Sequence, residues 1–271
     1  MMKKIFWPLL LGLLLFTFAG CSSETSTTSV ITPDSIRERG VLRVGVKLDV
    51  PNFGFEDPDT GQMEGMEVDL GRKLAEKITG SEKNVEFVGV TAKTRGPLLD
   101  NGEVDLVIAT FTITEDRRKS FHFTPPYYTD EVGFLVRKED GFTDLASLDK
   151  QVIGVAQSAT TKQSIEAQGE PDNLTFEFLE FGPYPMLKLA LTSKRIAAFS
   201  GDKSILTGYV DDETEILDIG FAPQQYGVTS SLGNTELAEV LDNAVNEFIQ
   251  DGTMEELLSK WNIQNVTEED D

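Results

Sequence analysis

The stretch AKTRGPLLDNGEVDLVIATFTITEDR, residues 92–117, places a short helix, a buried strand and a threonine-rich turn in close succession. Pro97 suits the first turn of a helix, and Gly102 suits the position just past its end. Residues 104–110, VDLVIAT, form an apolar run that is typical of a strand buried on both faces. A helix that leads into such a strand predicts an α/β fold with mostly parallel strands.

The same alternation of strands and helices continues on both sides of this stretch. Strands are predicted at VLRVGV, NVEFVGV, EVGFLVR, QVIGVA, LTFEFLEF and IAAFS, with helical segments between most of them. The helix predicted over Met66–Thr79 has an apolar residue at every fourth position, and two further helices, Thr235–Gln250 and residues 253–261, close the chain. Each half of the chain leads to a threonine-rich turn, TFTITEDR in the first and QSATTK in the second. The sequence therefore predicts two α/β lobes.

The composition excludes several classes of function. The net charge of −22 argues against nucleic acid as a partner, because phosphate binding needs a basic surface. The chain has one histidine, His122, and one cysteine, so no transition-metal site is expected. No G-x-S-x-G, H-E-x-x-H, P-loop or G-x-G-x-x-G pattern occurs, although the many carboxylates leave two-carboxylate chemistry open. The acidic segment 57–65 resembles a calcium loop, but Pro58 interrupts it, and we predict a hairpin turn there.

The first residues have the pattern of a targeting signal. Two lysines precede an apolar run over residues 5–19, which is short for a membrane span of about 20 residues. The run ends in FAGC at Cys21, a site that resembles a bacterial lipobox. We predict a lipoprotein signal peptide over residues 1–20, a lipid on Cys21 that anchors the chain to the outer face of the cell membrane, and a Ser/Thr-rich tether over 21–33. The alternative is an ordinary secretory signal with an incidental cysteine.

Polar side chains follow several predicted strands at the point where each strand ends. Lys47 follows the first strand, Thr110 and Thr112 follow the buried strand, and Thr160 and Thr161 occupy the matching place in the second half. In open α/β sheets, ligands bind at the edge formed by the carboxyl ends of the strands. We therefore expect these five side chains to belong to one ligand site.

Cations collect near the same edge. Lys93 and Arg95 lie at the N-terminus of the predicted short helix, where the helix dipole itself favours anions, and Arg117 follows the threonine-rich turn. Taken singly, each of these residues is explained by a solvated charge. Taken together, Arg95 and Arg117 indicate a pocket for an anionic group, and the role of Lys93 stays open.

These segments resemble the extracytoplasmic solute-binding proteins, family 3, of ABC transporters for polar amino acids. The resemblance covers residues 33–263 and is closest to the aspartate/glutamate-binding, PEB1a-like branch. It implies a two-lobed, type II periplasmic-binding-protein fold joined by two hinge strands, with lobe 1 over 34–128 and 226–266 and lobe 2 over 129–225. The segments that carry it are GVLRVGVKLDVPNFGF, GMEVDL, AKTRGPLLDNGEVDLVIATFTITEDRRKSFHFTPPYY, IGVAQSATTK, AFSGDKSILTGYVDD and PQQYG.

The resemblance also implies how the backbone of an amino acid is held. Arg117 would bind the ligand's α-carboxylate in a bidentate fork, together with Thr160 and the backbone N–H of Thr161. Asp202 would bind the α-ammonium with help from the Thr112 hydroxyl.

The remaining residues would decide which side chain is accepted. Lys47, Arg95, Thr110 and Tyr184 would surround a side-chain carboxylate, and Tyr226 would line the pocket. Three cations and Asp202 match the two carboxylates and one ammonium of an acidic amino acid. We therefore predict aspartate or glutamate as the ligand, with glutamine or another polar amino acid as the alternative.

The predicted function is the capture of L-aspartate or L-glutamate by a monomer that delivers it to the permease and ATPase of an ABC importer. No catalysis, cofactor, metal, or nucleic acid is expected. Two other classes stay open. One is a dehydratase-like enzyme on the same scaffold, which would need a general acid and base. The other is a sensory or adhesive surface protein that uses the same pocket.

Overall fold

The computed structural model describes residues 30–264. The predicted signal peptide, Cys21, most of the tether and residues 265–271 lie outside the described residues. The helices are α1 (Pro33–Arg39), α2 (Met66–Thr79), α3 (Arg95–Asp100), α4 (Glu115–Arg118), α5 (Thr161–Gly169), α6 (Tyr184–Thr192), α7 (Lys203–Thr207), α8 (Thr235–Gln250) and α9 (Thr253–Lys260). The strands are β1 (Leu42–Val46), β2 (Asp49–Val50), β3 (Gly54–Glu56), β4 (Met63–Glu64), β5 (Val85–Gly89), β6 (Leu106–Ile108), β7 (Phe121–Phe123), β8 (Tyr128–Arg137), β9 (Val152–Ala156), β10 (Glu177–Phe181), β11 (Ala198–Asp202), β12 (Thr214–Ile216), β13 (Phe221–Tyr226) and β14 (Thr229–Ser231).

The first lobe is built on a five-stranded sheet in the order β5-β1-β6-β14-β7. Strand β1 pairs in parallel with β5 and β6, so that Val44 lies opposite both Phe87 and Leu106. Strand β14 pairs antiparallel with β6 and β7. Helix α2 packs on β1 and buries the apolar stripe that the sequence predicts, including Leu70 and Leu74. Burial of this stripe is what keeps α2 on the sheet.

The second lobe is built on a sheet in the order β10-β9-β11-β8-β12, with β13 also paired to β8. Strand β9 pairs in parallel with β10 and β11, whereas β12 and β13 pair antiparallel with β8. The predicted two-lobed α/β fold is confirmed, and the main sheet of each lobe is mixed, with three neighbouring strands that pair in parallel. In the second lobe, the antiparallel pairings are all made with β8, the strand that enters this lobe from the first.

Two strands carry the chain between the lobes, and they pair with each other. Strand β8 leaves the first lobe and β13 returns to it, with Tyr128 opposite Tyr226 and Asp130 opposite Gln224. The family resemblance implies two hinge strands at these crossings, since it divides the lobes after residues 128 and 225. The lobe limits at 128 and 226 stay a prediction.

Short strands are the main elements that sequence patterns miss. Strands β7 and β14 have three residues each, too few to show a period of two, and they form because they pair with each other. The acidic segment 57–65 forms the predicted hairpin, since β3 and β4 pair antiparallel across it. Within residues 30–264, no helix combines the length and apolar character needed to cross a membrane.

Candidate functional site

Arg95 opens α3 and is almost fully buried, at 3% exposure. Its Nη1 donates hydrogen bonds to the carbonyls of Ala109 at 2.6 Å and Thr110 at 2.9 Å. The guanidinium lies 3.9 Å from the centroid of the Phe111 ring. Burial lowers the pKa of Arg95. Within the described residues, no carboxylate oxygen lies within 4.0 Å of its charged nitrogens, so carbonyl dipoles and a ring face are its direct partners.

Glu67 fixes the turn that supplies those carbonyls. Thr110 adopts a left-handed backbone with a φ of 46°, and its N–H donates to Glu67 Oε1 at 2.6 Å. The Tyr127 hydroxyl donates to the same oxygen at 2.6 Å. Burial raises the pKa of the Glu67 carboxyl to about 6. Sequence analysis missed Glu67, although its place in GMEVDL at the start of α2 marks it as an acid on a buried helix face.

Replacing Glu67 by alanine is expected to lower the free energy of unfolding by about 2–4 kcal/mol, because the Thr110 N–H and the Tyr127 hydroxyl lose a buried acceptor. Glu67→Gln keeps an acceptor oxygen and should cost about 1 kcal/mol or less. Urea denaturation at pH 7.5 measures both variants. Equal midpoints for wild type and Glu67→Ala would show that this carboxylate does not stabilise the turn.

Lys47 follows β1 and is 1% exposed. Its ammonium lies 3.1 Å from Asp49 Oδ1, an ion pair without the angles of a hydrogen bond, and 4.5 Å from the ring centroid of Tyr184 in the second lobe. Burial lowers the pKa of Lys47, and the charge of Asp49 opposes that shift. Lys47 therefore has its own counter-charge within the protein, which the sequence analysis did not foresee.

Arg117 in α4 contacts both lobes. Its Nη1 donates to the Thr112 carbonyl at 2.7 Å, and its Nη2 donates to the Ser158 carbonyl of the second lobe at 3.1 Å. The guanidinium lies 4.9 Å from the Phe111 ring, which therefore contacts both Arg117 and Arg95. Burial and the nearby charge of Arg95 lower the pKa of Arg117 to about 9. A ligand carboxylate beside these two guanidinium groups would relieve their repulsion.

The predicted threonine hydroxyls converge on one amide. Gln224 Oε1 accepts hydrogen bonds from Thr112 of the first lobe at 3.0 Å and from Thr160 of the second lobe at 2.7 Å. Gln224 is buried on β13, and its amide nitrogen donates to the Ala222 carbonyl at 2.6 Å. Thr161 follows as the buried first residue of α5. Gln224 was not predicted as a site residue, because the PQQYG pattern does not show which of two adjacent glutamines points inward.

Two buried carboxylates meet at the hinge. The Tyr226 hydroxyl donates to Asp202 and lies 3.3 Å from Asp130 Oδ2. Asp130 also accepts from the backbone N–H of Glu131 at 2.8 Å and from Ser204. Burial, together with the charge of Asp130, raises the pKa of Asp202 to about 7. A cation beside this pair would stabilise its ionised form.

The structure brings the predicted site residues to one place between the lobes. Backbone carbonyls, the Phe111 ring and Gln224 join Arg95, Thr110, Arg117, Thr112 and Thr160. Lys47 lies against the Tyr184 ring, Tyr226 donates to Asp202, and Thr161 follows Thr160 in the chain. The buried cluster also holds carboxylates that sequence analysis did not count. Its buried charged members are the cations Lys47 and Arg95 and the carboxylates Glu67, Asp130 and Asp202, and it also includes the partly buried Arg117 and Asp49.

Two α/β lobes joined by paired crossing strands, with a polar cluster drawn from both lobes, define a type II periplasmic binding protein. Comparison with known families agrees with this class. The chain belongs to the bacterial extracellular solute-binding proteins, family 3, whose family model matches residues 42–264.

Curated relatives of this chain bind amino acids. It is 34% identical to a glutamine-binding protein of Geobacillus stearothermophilus, over 90% of this chain and 100% of the relative. It is 31% identical to the ABC transporter glutamine-binding protein GlnH of Bacillus subtilis (strain 168), over 96% and 97% of the two chains. The glutamate-binding protein GluB of Corynebacterium efficiens is 27% identical over 82% of this chain and 79% of its own.

A solved structure shows the same fold. The cysteine-binding protein from Campylobacter jejuni superposes with a TM-score of 0.78 at 26% identity, covering 87% of this chain and 96% of its own. The chain is thus an amino-acid-binding component of an ABC transporter, and its relatives are solute-binding proteins rather than enzymes.

Proposed function

We propose that this protein binds glutamine between its two lobes and delivers it to the permease and ATPase of an ABC importer. The observation that carries the choice of glutamine is the ion pair between Lys47 and Asp49, 3.1 Å apart. Lys47 is one of the three cations on which the expectation of an acidic ligand rests, and its charge is balanced within the protein. The two glutamine-binding relatives, at 34% and 31% identity, support the same choice.

The full charge count supports a neutral side chain. The sequence sets three cations against Asp202 alone, whereas in the structure four buried or partly buried carboxylates lie among the same three cations. The α-carboxylate and α-ammonium of the ligand balance each other, so an acidic side chain would add one more negative charge to this group. A buried charge without a partner is costly, so an amide side chain is the better match.

In this proposal, the backbone of the ligand keeps the partners that the family resemblance implies. Arg117, Thr160 and the N–H of Thr161 hold the α-carboxylate. Asp202 and Thr112 hold the α-ammonium.

The side-chain end of the pocket then holds an amide. Its oxygen accepts hydrogen bonds from Arg95 or Lys47, while Thr110 and Tyr184 surround it. Tyr226 lines the pocket next to Asp202, to which its hydroxyl donates a hydrogen bond.

Glutamate, and aspartate with it, is the second candidate. Arg95 has carbonyl oxygens rather than a carboxylate as its direct hydrogen-bond partners, which favours a ligand anion at that end of the pocket. The glutamate-binding relative from Corynebacterium efficiens, at 27% identity, supports this alternative.

Isothermal titration calorimetry of the chain from residue 22 onward separates the candidates. At pH 7.5 we expect glutamine to bind at least about tenfold more tightly than glutamate or aspartate, the ratio that corresponds to 1.4 kcal/mol. Asparagine, histidine and arginine serve as competing ligands of other lengths and charges. Tighter binding of glutamate than of glutamine would reverse the proposed preference, and binding of none of these ligands would overturn the function.

We also propose that the protein works outside the cytoplasm, anchored by a lipid on Cys21. The support is the FAGC sequence that follows the apolar run over residues 5–19, together with membership of an extracellular family.

A further inference from the structure

Asp49 lies at the start of β2 in the first lobe, and its carboxylate joins two groups. Oδ1 is 3.1 Å from the ammonium of Lys47, and Oδ2 accepts the backbone N–H of Tyr184 in the second lobe at 2.9 Å. The Asp49 side chain is 15% exposed, so these contacts form largely away from water. One carboxylate therefore balances a charge on its own lobe and holds a backbone group of the other lobe.

The contact with Tyr184 caps a helix. Tyr184 is the first residue of the nine-residue helix α6, and Pro183 at the N-cap position has no side chain that accepts a hydrogen bond. A carboxylate at this end of a helix is also favoured by the helix dipole. The Tyr209 hydroxyl of the second lobe donates to the carbonyl of Asp49 as well. The contacts of Asp49 with Tyr184 and Tyr209 therefore form only when the lobes lie together.

We infer that Asp49 is a specificity-determining residue, which sets the pocket for a neutral side chain by neutralising Lys47 and at the same time stabilises the closed arrangement of the lobes. The inference rests on the proposed function. With Asp49 ionised, Lys47 and Asp49 form a neutral pair beside the ligand's side chain. Without that charge, the buried ammonium of Lys47 favours a carboxylate ligand over an amide.

Two substitutions separate the charge of Asp49 from its hydrogen bond. Asp49→Asn removes the charge but keeps an oxygen that can accept the Tyr184 N–H. Asp49→Ala removes both. The charge decides between glutamine and glutamate, whereas the hydrogen bond affects both ligands alike, since it acts on closure.

The experiment is calorimetry of glutamine and glutamate binding at pH 7.5 to the wild type and these variants. In Asp49→Asn, the ratio of the glutamate to the glutamine dissociation constant should fall at least about tenfold, as expected for loss of a charge in a buried site. Asp49→Ala should show the same change in ratio and, in addition, weaker binding of both ligands. In the double variant Asp49→Asn with Lys47→Met, a neutral pair is restored, and the ratio should return to within about threefold of wild type.

Asp69→Asn is the matched control. Asp69 lies on the same lobe, its side chain is 13% exposed, and it pairs with Arg72 and Lys260 away from the site. Its replacement should leave the ratio unchanged. If Asp49→Asn binds both ligands with the wild-type ratio, the role of Asp49 is overturned while the proposed function stands. If the wild type binds neither ligand, the proposed function fails and the role of Asp49 fails with it.

Discussion

Arg117→Ala is expected to weaken the binding of every amino acid by about a hundredfold to a thousandfold, as removal of one partner from a buried charge pair costs about 3–4 kcal/mol. The effect should be general because the α-carboxylate is common to all amino acids. Arg117 also donates to the Ser158 carbonyl of the second lobe at 3.1 Å, so the substitution removes a contact between the lobes. Calorimetry with glutamine and glutamate measures both losses.

Arg118→Ala is the matched control for this substitution. Arg118 follows in the same helix, is exposed, and lies 6.0 Å from the Phe123 ring rather than between the lobes. The Arg118→Ala variant should bind glutamine with a dissociation constant within about threefold of the wild-type value, because an exposed charge contributes little. Similar losses in both variants would show that helix α4, and not the Arg117 fork, is what binding needs. Arg117→Lys should recover only part of the affinity, since lysine lacks the bidentate geometry.

Asp202→Asn is expected to abolish amino-acid binding and to stabilise the ligand-free protein at high pH. Binding is lost because the α-ammonium loses its counter-charge, which costs about 3–5 kcal/mol for a buried pair.

Stability rises because burial and Asp130 raise the pKa of Asp202 from 3.8 to about 7. The folded state therefore holds this proton more strongly than the unfolded state does. The resulting stability is fully present below pH 3.8 and is lost as the pH rises through about 7.

Urea denaturation at pH 5 and pH 8 tests the second effect. From pH 5 to pH 8, the free energy of unfolding of the wild type should fall relative to that of Asp202→Asn. At pH 8 the variant should be more stable than the wild type by about 1 kcal/mol or more. The exposed residue Asp116 offers the control, since Asp116→Asn should leave the pH profile of stability unchanged. A stability difference between wild type and Asp202→Asn that is equal at both pH values would contradict the raised pKa. In the wild type, the affinity for amino acids should fall as the pH drops below 7, because the ammonium binds the ionised carboxylate.

Much of the site follows from strand order alone. Lys47 follows β1 and Thr110 follows β6, and these strands pair in parallel. Carboxyl ends of parallel strands meet at one edge of a sheet, which is why residues far apart in the chain were expected to lie together. The fold class follows in the same way from the alternation of strands and helices, and α2 has the bounds that its apolar spacing predicts.

The proposed ligand preference did not follow from the sequence. The chain has 46 acidic residues, and nothing in their spacing shows which three join Asp202 among the buried cations. Glu67 reaches Thr110 across 43 residues, and Asp49 reaches Tyr184 across 135. Gln224 bonds Thr112 and Thr160 from β13, whose position depends on its pairing with β8. Local sequence patterns do not specify the register of that pairing.

By itself, the sequence determined the two-lobed α/β fold, the edge of the sheet where the site lies and the cations that reach it. These depend on local periodicity and on strand direction, which neighbouring residues specify. Only the tertiary structure decided how those cations are balanced, and the proposed preference for glutamine rests on that balance. The interaction between two charges depends on their separation and on the water between them, and both are set by the packing of distant segments.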